Sequence, residues 1–231
     1  MYSYQSKLSF GFAAVGLIGG IMLSTADWLL GAVSGASVSG NMFFSENCVA
    51  IPYWRLSVSM IFAVFGTVFF LWGLFLQKDL YREDNVIMKN IYAFFCIAGG
   101  TTWLFIHFLY AVYRACMKLF LENTVSTGLI EAVIFTDKLS SIFMPVSIIA
   151  ANLMIIPHLI FMISLIMKKT VLPRWFVIFY IIIFSIIFGI VCSLTKGTAF
   201  SNGLSMASSN MALTLWFVVV VIFRNKIINY K

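Results

Sequence analysis

Long apolar stretches alternate with short polar connections along the whole chain. Six stretches stand out, at 8–33, 54–77, 88–113, 138–167, 174–195 and 204–223. A helix needs about 20 apolar residues to cross the hydrocarbon core of a bilayer. A transmembrane β-strand would instead alternate apolar and polar positions over about 10 residues. Runs such as Val177–Val191 are apolar on every face, which selects helices, because a helix satisfies its own backbone groups in lipid. The pattern predicts an all-α fold: one domain over residues 1–231 that is a polytopic bundle of six transmembrane helices. Lys7 and the small residues at Ala32 to Ala36 give the first stretch some look of a signal peptide. Its apolar run exceeds the usual core of about 7–15 residues, so it is read as a retained helix.

Composition supports the same class. The chain has 231 residues, of which 62% are hydrophobic and 10% charged. Soluble domains carry about 25% charged residues. No polar region is left over for a second domain, so membrane lipids are the expected surroundings.

Charge adds an orientation. Lys7, Lys78, Arg82, Lys89, Lys168, Lys169, Arg174, Arg224, Lys226 and Lys231 fall on one side of the alternating helices. Arg55, Arg114, Lys118, Lys138 and Lys196 fall on the other. The positive-inside rule then places both termini in the cytoplasm of a multi-pass cell-membrane protein. The net charge of +7 has this origin, and no nucleic-acid footprint is implied. The outer connections are 34–53 and 114–137. The second has helical periodicity, with Leu119, Phe120 and Leu121 followed by Leu129, Ile130, Val133 and Ile134, and is expected to lie in the interface. Trp28, Trp54, Trp175 and Tyr230 sit near helix ends, as an aromatic belt does.

Polar residues at depth are the candidates for function, since a charge in the membrane normally faces the bundle and finds a partner. Asp27 and His107 fall in the outer thirds of the first and third helices, and Ser208, Ser209 and Asn210 in that of the sixth. Arg55, Arg114 and Lys196 flank the same layer. Ser24, Asp27 and Gly31 share one helical face. Two readings follow. One is an outward-facing polar pocket formed by Asp27, Arg55, His107, Arg114 and Asn210, taking a small-molecule or lipid-like ligand. The other is a structural ion pair of Asp27 with Arg55 or Arg114. His158 follows Pro157 and is read as snorkelling, or as bonding a carbonyl that the proline frees. Pro145 and Pro157 predict a kinked or locally unwound fourth helix.

Motif chemistry is sparse. The two histidines and four cysteines form no His-x-x-x-His or Cys-x-x-Cys pair, so neither a metal site nor a cofactor is expected. Gly-x-Ser-x-Gly and P-loop patterns are absent. Cys96 reads as a small apolar filler. Cys48 and Cys116 both fall in outer connections, where an oxidising face permits a disulfide; spacing alone does not decide it.

Gly16 and Gly20 form a small-xxx-small pair, and Gly66 and Gly73 share a face of the second helix. Packing within the chain accounts for both. Self-association is permitted by the pattern and not indicated by it. Ile51-Pro52-Tyr53-Trp54-Arg55 and Leu172-Pro173-Arg174-Trp175-Phe176 open the second and fifth helices alike. An inverted three-plus-three repeat would produce this; so would the preference of Pro for a first helical turn and of Trp for interfaces.

Four segments carry a resemblance. They are Ala26-Asp27-Trp28-Leu29-Leu30, Trp54-Arg55-Leu56-Ser57, Lys169-Thr170-Val171-Leu172-Pro173-Arg174-Trp175 and Ser205 through Asn210. On these the whole chain resembles an uncharacterised family of six-helix membrane proteins from Gram-positive bacteria. The resemblance implies fold and localisation and transfers no catalytic role. Three function classes stand: a binding or transport protein with a polar pocket, a membrane-embedded enzyme acting on a lipid or isoprenoid through Asp27 and His107, and an accessory or immunity-type protein that contacts a partner. The intramembrane Asp27 and the proline-interrupted fourth helix favour the first.

Overall fold

The computed structural model describes residues 2–34, 49–123 and 128–223. Among these, six α-helices run up and down: α1 (Tyr2–Gly31), α2 (Tyr53–Leu76), α3 (Val86–Asn123), α4 (Gly128–Ile166), α5 (Ile181–Leu194) and α6 (Ala199–Ile222). A 3-10 turn, Gln77–Leu80, prolongs α2, and a second, Arg174–Phe179, precedes α5. All six crossings are long and apolar enough to span a bilayer, the fifth when its 3-10 segment is included. The bundle is an all-α membrane fold.

The helices are arranged around the bundle in the order α4, α3, α2, α1, α6, α5. α1 is the centre, and glycines let its neighbours close on it. A Cβ at Gly19 would collide with the backbone of Phe70 and Gly66, and one at Gly73 with the backbone of Gly16. On the other side, Gly16 lies under the Phe217 ring, and Gly20 lies under Thr214. Both glycine pairs therefore act within the chain. Lipid offers no hydrophobic force between helices, so this close approach supplies the packing.

Several elements differ from the sequence expectations. The segment 114–137 is not a separate interfacial piece: 114–123 completes α3 and 128–137 opens α4. At 38 and 39 residues, these helices are about 57 Å long at 1.5 Å per residue, well beyond a core of about 30 Å. Hydropathy marks where a helix leaves apolar surroundings, and backbone helicity continues past that point. α6 begins at Ala199, five residues earlier than expected, because Thr198 caps it: its hydroxyl accepts from the Ser201 N–H at 3.0 Å. α4 runs as one helix through Pro145 and Pro157 without the expected unwinding. The carbonyl that Pro157 leaves without a partner, Leu153 O, faces Gly99 of α3, where a Cβ would lie 2.7 Å away. The openings at Pro52 and Pro173 are also unlike. Pro52 precedes a 24-residue α-helix, whereas Pro173 precedes six residues of 3-10 helix and then a 14-residue helix. Cys48, whose pairing with Cys116 the spacing left open, lies outside the described residues.

At one end, the 81–85 and 167–173 connections are zipped together. The N–H of Arg82 donates to Lys169 O at 3.0 Å and that of Val171 to Leu80 O at 2.8 Å. Beneath them lies an aromatic core of Tyr81, Tyr92, Phe161, Phe176, Tyr180 and Trp216. The opposite end is clasped by Lys118, which donates to Val49 O at 2.7 Å and pairs with Glu122 at 2.8 Å. The Lys118 ammonium and the Tyr53 hydroxyl hold the Glu122 carboxyl below the usual range.

Gly19→Leu should lower stability by about 1–3 kcal/mol or more, since the obstructing atoms are backbone and cannot rotate away. Gly189→Ala, with open space around it, should be neutral or slightly stabilising. Thermal unfolding in detergent compares them; equal effects would contradict this packing.

Candidate functional site

The close contact of α1 with α6 carries Asp27 up against Asn210, and α3 supplies His107. All three are buried: Asp27 is 4%, His107 5% and Asn210 1% exposed. His107 Nδ1 lies 3.1 Å from Asp27 Oδ1. Asn210 Nδ2 donates to Asp27 Oδ2 at 2.6 Å and lies 3.4 Å from His107 Nε2.

Hydrogen-bond roles follow from chemistry. An ionised carboxylate only accepts. Asn210 must therefore turn its NH2 toward Asp27, and His107 must carry its proton on Nδ1. In the neutral ring His107 Nε2 is then an acceptor, which the second N–H of Asn210 meets. The three side chains form a closed loop that consumes both amide protons. The Asn210 carbonyl oxygen is left over, and among the described residues it has no partner.

The two arginines do something else. Arg114, itself buried, donates from Nη1 to Leu30 O and lies 3.4 Å from the Met206 sulfur. Arg55 Nη2 donates to Trp28 O at 3.4 Å and Ala32 O at 3.2 Å. Asn202 Nδ2 donates to Val33 O at 2.6 Å. α1 ends inside the bundle, so its last carbonyls need donors, and cations there also offset the helix dipole. The ion pair that sequence suggested for Asp27 is thus replaced by His107, and both arginines close α1 one turn above it.

On the other side of Asn210 lies a cavity of about 440 Å³. It sits where α4 and α5 part: α4 packs on α3, α5 packs on α6, and each touches the 3-10 segment Arg174–Phe179 more than it touches the other. Its wall is largely aliphatic, with Met154, Ile155, Ile182 and Ile186 among the lining residues, and its polar residues are Trp103, His158, Ser185, Ser209 and Asn210. Of the five candidates from sequence, Asn210 lines this cavity. Asp27 and His107 stand behind it. His158 neither snorkels nor takes a freed carbonyl. Its Nδ1 lies 3.2 Å from the Tyr180 hydroxyl, and it faces the cavity from α4. Trp103 has no sequence signal beyond being one aromatic among many; its ring packs edge-on against His107, with centroids 5.5 Å apart.

Asp27→Asn should cost about 1–3 kcal/mol, because an amide there must oppose one donor with another. The exchange Asp27→Asn with Asn210→Asp restores a donor–acceptor pair and should recover part of the loss. Unfolding in a double-mutant cycle measures this; strictly additive losses would contradict the loop.

No curated protein matches the chain, and no solved structure does. The family of unknown function DUF6796 matches over residues 6–226, and the chain belongs to that family.

Proposed function

We propose that the protein binds a lipid-like molecule in the cavity between α4 and α5, reached sideways from the bilayer. The carrying observation is an apolar cavity, within the usual range of about 300–1,000 Å³ for ligand sites, backed by a buried hydrogen-bonded carboxylate. Ile155 and Ile186 at its sides are half-exposed, as the rim of a lateral mouth should be. α5 is the least buried of the six crossings. Its loose packing makes it the element that can move to admit a chain. The excess of basic residues on one side supports cytoplasmic termini. With that orientation the cavity spans the middle of the membrane and its cytoplasmic half, since Ile181 opens α5 there. A sideways site at this depth suits binding, or movement of a lipid-like substrate between leaflets.

The enzymatic reading has less support. Asp27 and His107 resemble an acid–base pair, but His107 Nε2 is engaged by Asn210, and both side chains lie behind Asn210 instead of at the cavity wall.

Native mass spectrometry of gently extracted protein should show one retained lipid-sized adduct, lost in Ala151→Trp, which fills the cavity. A persistent adduct in a folded Ala151→Trp protein would contradict the site. For orientation, an impermeant thiol reagent on intact cells should label Asp137→Cys and spare Lys169→Cys; the reverse would invert the topology.

A further inference from the structure

We infer that the corner where the 81–85 and 167–173 connections meet binds the headgroup of an anionic phospholipid, held by Arg82, Lys168 and Lys169. The site is separate from the cavity, whose lining includes none of the three.

The end of α4 carries the first observation. Lys168 N–H donates to Leu165 O at 3.2 Å and Lys169 N–H to Ser164 O at 2.8 Å. These two bonds make a Schellman close, in which the residue after the cap turns left-handed and is usually glycine. Lys168 stands there with a φ of 57°. Glycine adopts that conformation freely, and a residue with a β-carbon does so only under strain. Among the described residues, no other non-glycine residue has a positive φ. The Lys168 side chain is exposed, so packing does not account for it. A cation at a helix C-terminus also meets the helix dipole, but Lys169 provides that without the strain. A strained backbone that persists points to a use for the side chain.

The second observation is how the corner is closed. Arg82 N–H donates to Lys169 O at 3.0 Å, and Arg82 Nη1 donates to Lys168 O at 3.4 Å. Tyr81 and Thr170 form an antiparallel bridge beside them. The guanidinium is thus fixed against the backbone of both lysines, whose flexible four-carbon stems can bring their ammonium groups to it. Three like charges are tied to one corner. Among the described residues none of the three has an ion-pair partner, whereas Lys89 is paired with Asp79 at 2.8 Å. Glu83 and Asp84 follow Arg82 in the same turn and pair with none of them. A phosphate group accepts from guanidinium and ammonium alike, and it would relieve the repulsion.

The surroundings select a lipid as its carrier. Ile166 and Met167 directly precede Lys168, and Val86 and Ile87 follow the 81–85 connection; all four are exposed. The cations therefore stand where the apolar surface of the bundle ends. Basic residues in that position beside a membrane-spanning helix draw anionic headgroups.

The test follows the melting temperature of the full-length protein in neutral detergent as dioleoylphosphatidylglycerol or dioleoylphosphatidylcholine is added. The lipids share their chains and a phosphate and differ in net charge. Ligand that binds the native state raises the melting temperature in proportion to its affinity. Phosphatidylglycerol should act at lower concentration than phosphatidylcholine. In Lys168→Gly, the concentration giving the same rise should increase about fivefold, the effect of one cation at a headgroup surface, and Lys169→Gln should behave alike. Without anionic lipid, Lys168→Gly should melt no lower than wild type, because glycine relieves the backbone. Lys89→Gln removes one charge from the same end and should leave the preference unchanged. Equal action of the two lipids on the wild-type protein would overturn the inference, and this comparison needs no variant. Full preference in Lys168→Gly, or an equal loss in Lys89→Gln, would overturn it too, the latter by assigning the preference to net charge. Stabilisation by inorganic phosphate that equals that of phosphatidylglycerol, and that chloride at the same ionic strength does not give, would make the ligand a free anion and overturn the choice of a lipid.

Discussion

A carboxylate can accept hydrogen bonds and cannot donate them, and the polar interior of this bundle is arranged around that constraint. Asp27 is buried, so each oxygen needs a donor. His107 provides one through Nδ1 and Asn210 the other through its amide nitrogen. Both choices propagate. They fix the histidine tautomer, fix the amide's orientation, and leave one acceptor, Asn210 Oδ1, unpaired among the described residues.

The arrangement requires α1 to be held tightly on two sides. Gly16, Gly19 and Gly20 bring α2 and α6 to backbone distance, and that proximity sets Asp27 level with Asn210. It also buries the end of α1, whose carbonyls Arg55 and Arg114 then satisfy. These arginines are structural in the same sense as the glycines. The contrast with α5 is physical. No described side chain lies near Gly189, and the helix leans on α6 alone along most of its length. A rigid half and a loose half meet at Asn210.

The fold was legible because hydropathy over about 20 residues is a strong signal and helices have no competitor in lipid. Depth was legible too: Asp27, His107 and Asn210 were grouped from their positions along three helices, and the structure brings them within hydrogen-bonding distance. Rotation and helix ends were not. Arg55 and Arg114 lie at the right depth for Asp27, yet they serve α1's carbonyls because α1 stops at Gly31, a fact no residue pattern announces. The cavity was hidden for a similar reason. It depends on α4 and α5 standing apart, which is a property of packing, and its polar residues Trp103 and His158 each have an ordinary explanation when read singly. The extension of α3 and α4 was missed because 114–137 loses hydropathy while keeping helical periodicity.

The central claim is that Asp27 orients its neighbours. Nitrogen NMR of isotope-labelled histidine in the reconstituted protein tests it directly, with the His107 signal identified by its loss in His107→Gln. The account predicts a neutral ring protonated at Nδ1 and unprotonated at Nε2, the less common tautomer in solution. A neutral ring protonated at Nε2, or a doubly protonated ring, would contradict it, because Asn210 would then face a donor and its amide could not be fixed as described.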